Sequence, residues 1–188
     1  MNASTLDYDL LVNASFESAD WQARDAARTA LKQASLAALP ALERRLSDHR
    51  WQMRRHIAQL LDNALNDTNV HVLLRALKDP NAIVRRNALH SLTCEDCKSE
   101  GCWTVDMTGI LLDIISTDRS PRVRVAAIAY LSNRPPEQRT VDALRRVGHA
   151  TDHARTRSRC QRVADAVCSA LAAPQDPSVK LQRPPPTA

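Results

Sequence analysis

The sequence predicts an all-α fold, an α-solenoid of about five helical hairpins, on three observations. First, a phrase recurs. Trp21-Gln22-Ala23-Arg24 is followed by Ala27 and Leu31, and Trp51-Gln52-Met53-Arg54 by Ile57 and Leu61. Ala82-Ile83-Val84-Arg85 precedes Ala88 and Leu92, and Pro121-Arg122-Val123-Arg124 precedes Ala127 and Leu131. Second, the copies are 30, 31 and 39 residues apart. A recurring period of that size in helix-forming sequence marks an array of units, none of which buries its apolar face alone. Third, aromatics make up 3% of the 188 residues and Gly only 3 positions, while Ala, Leu and Arg abound. That mix suits helices and offers little to strands.

Each phrase opens a helix. Its apolar residues, such as Val84, Ala88, Leu89 and Leu92 or Val123, Ala127, Ile128 and Leu131, fall on one stripe at helical spacing. Asp48, Asp79 and Asp118 precede the second, third and fourth copies and read as helix caps, with Pro80 in the first turn of the third. Before each phrase lies a further apolar helical stretch, at about 6–15, 35–46, 69–78 and 107–116, so the unit is a hairpin. Leu36, Leu39, Leu42 and Leu46 mark the second of these stretches. A fifth, decayed unit has helices at about 138–148 and 153–172. Its last helix carries Cys160, Val163, Ala164, Val167, Cys168 and Leu171 on one stripe, as a terminal cap should. The repeat domain thus spans 1–172, with an insertion at 93–104. Residues 173–188, with five Pro from Pro174 onward, read as a disordered tail.

These phrases resemble HEAT repeats, most closely the short bacterial kind: Asp79-Pro80, then Val84-Arg85-Arg86, Ala88-Leu89 and Leu92, and again Asp118, Val123-Arg124, Ala127 and Leu131. The resemblance covers about 17–172 and implies an armadillo-type superhelix whose second helices line a concave, partner-binding face. It implies too that Asp48, Asp79 and Asp118, with Arg54, Arg85 and Arg124, form a ladder between units. Arg24 extends the row, with Ser18 in place of its Asp.

The net charge is +5. Between Arg139 and Arg162 lie seven Arg against Asp142 and Asp152, an excess equal to the whole. No basic start is followed by an apolar run, since Asp7 and Asp9 interrupt it, and no apolar run could span a bilayer. The chain reads as cytoplasmic and not membrane-bound. In that compartment its five Cys are thiols or metal ligands rather than disulfides.

The long third step holds Cys94, Cys97 and Cys102, preceded by His90. His-x3-Cys-x2-Cys-x4-Cys supplies four ligands of the type that suits tetrahedral Zn²⁺, with Gly101 letting the chain fold back. His90 aligns with Gln59 and Ala129, so the repeat itself does not call for a His there. Three readings stand: a closed structural zinc site stapling the loop, reduced thiols, or a redox pair at Cys94 and Cys97.

The function expected is a non-catalytic scaffold or adaptor, binding a protein partner through the second-helix face. Arg55, His56, Arg86 and Asn87, with His90 beside them, would line that face. The alternative is nucleic-acid binding through Arg145, Arg146, Arg155, Arg157, Arg159 and Arg162, on a basic surface of the kind HEAT-like DNA glycosylases use. Against it stands the plain reading of a solvated helix face. Trp21 and Trp51 share a repeat position and read as packing residues. No Gly-rich phosphate loop, nucleophile elbow or His–carboxylate pairing supports an enzyme, a cofactor other than zinc, or a small-molecule substrate.

Overall fold

The computed structural model describes residues 7–63, 69–94 and 105–173, and every regular element among them is helical. The chain divides into two compact units, Met1–Asn133 and Arg134–Ala188, with the boundary just before Pro135 and Pro136.

The first unit holds four hairpins. They are α1 (Tyr8–Glu17) with α2 (Trp21–Ala34), α3 (Leu39–Arg45) with α4 (Trp51–Leu60), α5 (His71–Ala76) with α6 (Ala82–Thr93), and α7 (Met107–Thr117) with α8 (Pro121–Leu131). Within each pair the helices pack on one another, and the second helices also stack in series, α2 on α4, α4 on α6 and α6 on α8. The second apolar stretch is not one helix. A 3-10 turn, Ser35–Ala38, precedes α3, and Pro40 sits in the first turn of α3, where its missing N–H costs nothing. Leu36 therefore lies outside the buried stripe and is half exposed.

The repeated phrase explains the core. Ala27 and Leu31, Ile57 and Leu61, Ala88 and Leu92, and Ala127 and Leu131 are all buried, at equivalent positions of successive second helices. Each buried Leu contributes about 2 kcal/mol relative to an exposed one. Ala at the first position of three of the four pairs lets helix axes approach, while Leu a turn later fills the space between them.

The second unit is one hairpin, α9 (Gln138–Ala150) and α10 (Ala154–Ala172). Val141, Leu144, Cys160, Ala164 and Val167 form its core. A Cβ on Gly148 would lie 3.3 Å from the Cys160 Cβ, so Gly148 is what lets the two helices come this close. Cys160 is fully buried as expected, whereas Cys168 is only half-buried. The tail from residue 174 and most of the insertion, 95–104, lie outside the described residues.

Candidate functional site

The ladder is the frame on which any surface of the first unit is held. Arg54 Nε and Nη2 donate to Asp79 Oδ2 and Oδ1 at 2.6 and 3.0 Å, a two-pronged pair between neighbouring hairpins. Arg85 makes the same pair with Asp118 at 2.7 and 2.8 Å. Each guanidinium also reaches back six residues to its own turn. Arg54 Nη1 donates to the Asp48 carbonyl and Arg85 Nη1 to that of Asp79, both at 2.8 Å. Arg124 holds the Asp118 carbonyl at 2.7 Å and Arg24 the Ser18 carbonyl at 2.8 Å. A guanidinium has five donors in a fixed plane, so one side chain can tie its own turn and the next repeat at once. Arg119 adds another link, donating to the Pro80 carbonyl.

The aspartates do not cap the helices, as their position in sequence suggests. They sit two residues earlier. Asp48, Asp79 and Asp118 accept from the backbone N–H of Arg50, Asn81 and Ser120, which are themselves the N-cap residues. The Asn81 side chain then caps α6 through Ile83 N–H, and Pro80 lies before the helix rather than in it. An Asx turn is the natural use of an Asp that must also face a guanidinium, because its second oxygen stays available. Hydrogen bonding to Arg50 holds the Asp48 carboxyl down at about 2 against its burial. Burial works to raise Asp118, but the hydrogen bonds from Arg85 and Ser120 and the charges of Arg85 and Arg124 outweigh it and lower it. The Asp79 and Asp118 pairings lift Arg54 and Arg85 in turn.

The same backward reach reveals a fifth rung that spacing alone conceals. Arg157 Nη2 donates to the Thr151 carbonyl at 2.8 Å, again across six residues. Aligned on Arg157, Cys160 and Ala164 fall on the buried Ala127 and Leu131 positions, and both are buried. Thr151 stands where the second to fourth units carry Asp and the first carries Ser18, so this unit keeps the arginine clamp but has no carboxylate to offer. Of the candidate phosphate contacts, Arg157 thus has a scaffold role. Arg145 donates to Cys168 Sγ at 3.5 Å.

On the second-helix face the residues named from sequence divide. Arg55 and Arg86 are exposed, at equivalent positions of α4 and α6, and Asn87 is half-buried. Asn87 donates to the Ile83 carbonyl at 2.8 Å. His56 does not line the face: it is 7% exposed. Its Nε2 lies 2.8 Å from Ser15 Oγ, and its ring sits 5.5 Å from that of Phe16. Ser15 gives its one hydroxyl proton to the Val12 carbonyl, at 2.7 Å, so it accepts from His56 Nε2–H. Burial, with the nearby Arg28 and Arg55 charges, pushes His56 down to about 4. The helical phase is the same as that of Asn87 at the equivalent position; the difference is that Ser15 and Phe16 of α1 lie against this side of α4, a neighbour that nothing in the phrase signals. Trp21 departs from expectation too, at 66% exposed, and Trp51 is half-buried. Both are the first residue of a helix, where Cα–Cβ bonds tilt toward the N-terminus and carry the ring past the packed layer.

His90 bridges two repeats. Its Nδ1 lies 2.9 Å from Tyr130 Oη on α8, with the rings 6.2 Å apart. Cys94 follows directly on α6, its N–H still bonded to the His90 carbonyl at 2.9 Å, which keeps the two on the same turn. Cys97 and Cys102 lie outside the described residues. Among those described, no group of three or more His, Cys, Asp or Glu could hold a metal ion.

Among the described residues, no helix is long and apolar enough to cross a membrane. No curated protein matches the chain. The family model for HEAT repeats matches residues 70–165, just over half of the 188 residues, and takes in the last two laddered hairpins of the first unit and most of the second unit. Paired helices on a roughly thirty-residue period, tied by a repeated Arg–Asp rung, and this match lead to one assignment: the chain belongs to the HEAT-repeat family.

Proposed function

We propose that the protein is a non-catalytic scaffold that binds a protein partner on the exposed face of α4, α6 and α8. HEAT repeats commonly mediate protein interactions, and the family is typically non-enzymatic. The observation that carries the reading is the makeup of this face. Ile83, Arg86 and His90 recur at helical spacing on the solvent side of α6, with Ile83 41% exposed, and Arg55 and Gln59 repeat the Arg86 and His90 positions on α4. Arginine beside exposed aliphatic and aromatic groups is the composition of interface hot spots. The ladder beneath holds these side chains on rigid helices, so little order has to be gained on binding. A structural zinc bound by His90, Cys94, Cys97 and Cys102 would staple the segment that follows α6.

The test is co-purification of tagged full-length chain from its own cells, alongside an Arg55→Glu/Arg86→Glu variant. A partner recovered stoichiometrically with the wild type and lost with the variant supports the reading. A partner retained at equal yield by the variant overturns the assignment of this face.

A further inference from the structure

The charge of this protein is segregated. The Arg134–Ala188 unit holds ten of the 26 Lys and Arg but only five of the 21 Asp and Glu, so the whole +5 lies there and Met1–Asn133 is neutral. Within the described part of this unit every cation is an arginine. Three of them, Arg155, Arg159 and Arg162, follow one another at helical spacing along one side of α10, over about 10 Å of helix. Arg155 and Arg162 are exposed and Arg159 half-buried, and no described carboxylate pairs with any of them. Three of the unit's four described acids are engaged elsewhere. Glu137 pairs with Arg139 at 2.5 Å, and Asp142 and Asp165 each accept from the glutamine four residues before, at 3.0 Å.

An unneutralised row of like charge costs stability through self-repulsion unless something anionic relieves it. Two absences narrow what that is. The unit has no Phe, Trp or Tyr, and among the described residues none of the exposed large apolar side chains, Leu10, Trp21, Leu36 and Ile83, belongs to it. A protein interface draws its energy from buried aromatic or aliphatic anchors, which this surface lacks. Single-stranded nucleic acid is held largely by bases stacked on aromatic rings, which it lacks too. A duplex needs neither. It presents about one negative charge per 1.7 Å of axis, so 10 Å of helix faces about six phosphate charges, and guanidinium groups bind phosphate oxygens two at a time.

We propose that the Arg155–Arg159–Arg162 side of α10 binds the phosphate backbone of duplex nucleic acid, without reading base sequence. The row belongs to the second unit, and the proposal does not rest on the reading of the α4–α6–α8 face.

Fluorescence anisotropy of the full chain with a labelled DNA duplex of arbitrary sequence tests this, with the corresponding single strand and a polyglutamate peptide as competitors. The duplex is expected to bind most tightly, and about equally for unrelated sequences. Replacing the three arginines by Gln together should lower the slope of log affinity against log salt by about 3, at 0.9 per phosphate contact. The three-Lys variant should keep that slope. Circular dichroism shows whether α10 stays helical in each variant. Absence of duplex binding at low salt, an unchanged slope in the folded Gln variant, or tighter binding of the single strand or of polyglutamate would each overturn the proposal.

Discussion

His56 gives the structure a stability that depends on pH, and its size follows from where the ring sits. The imidazole is 7% exposed, donates to Ser15 and lies near two arginines, and these surroundings lower it from 6.5 to about 4. The folded state therefore keeps His56 neutral where the unfolded chain takes up a proton. Because the folded value is the lower one, the contribution is complete above about pH 6.5 and is lost as pH falls toward 4. Linkage between those two values gives a loss of about 2 kcal/mol from pH 7 to about pH 5, and about 3 kcal/mol by pH 4. Above pH 5 the lowered Asp48 and Asp118 carboxyls stay ionised, so that window isolates the histidine. The perturbation is His56→Gln, which keeps an N–H for the Ser15 hydroxyl and removes the titration. Urea unfolding of both proteins at several pH values should show the wild type losing about 2 kcal/mol more than the variant between pH 7 and 5. Parallel curves for the two proteins would refute the reasoning, since the ring would then be charged in place or reached by water.

Other perturbations have equally definite outcomes. Arg85→Ala should cost about 3–5 kcal/mol by urea unfolding at neutral pH, because Asp118, with its side chain 7% exposed, is left as an uncompensated charge. Adding Asp118→Asn should restore part of that loss, and a cost under about 1 kcal/mol for Arg85→Ala would mean the rung behaves like an exposed ion pair. The Thr140 hydroxyl is buried without a hydrogen-bond partner, so Thr140→Val should stabilise the α9–α10 hairpin by about 1 kcal/mol, read as a raised melting temperature of this unit. Metal analysis of anaerobically purified protein should find one zinc per chain, and Cys94→Ser/Cys97→Ser/Cys102→Ser should abolish it; clearly substoichiometric zinc in the wild type would dismiss the zinc loop.

Arg157 and His56 show where reading the sequence stopped. Arg157 sits in a run of arginines, and only its bond to the Thr151 carbonyl separates it from neighbours that face solvent. The signal was present as an Arg six residues after the position that the second to fourth units fill with Asp, but without that Asp the phrase does not align. His56 and Asn87 are equivalent in the repeat, yet α1 buries one and leaves the other partly open.

The sequence by itself determined the hairpin unit, its period and the buried Ala and Leu positions, and its resemblance to HEAT repeats singled out the Arg and Asp of the ladder. Those follow from local periodicity and from a pattern repeated often enough to expose its exceptions. The tertiary structure alone decided which arginine meets which aspartate, that the aspartates brace turns instead of capping helices, and that Trp21 is exposed. It also decided that the fifth unit keeps its clamp without a carboxylate. These depend on which neighbour covers a given side of a helix and on the direction of each side chain, and a one-dimensional pattern carries neither.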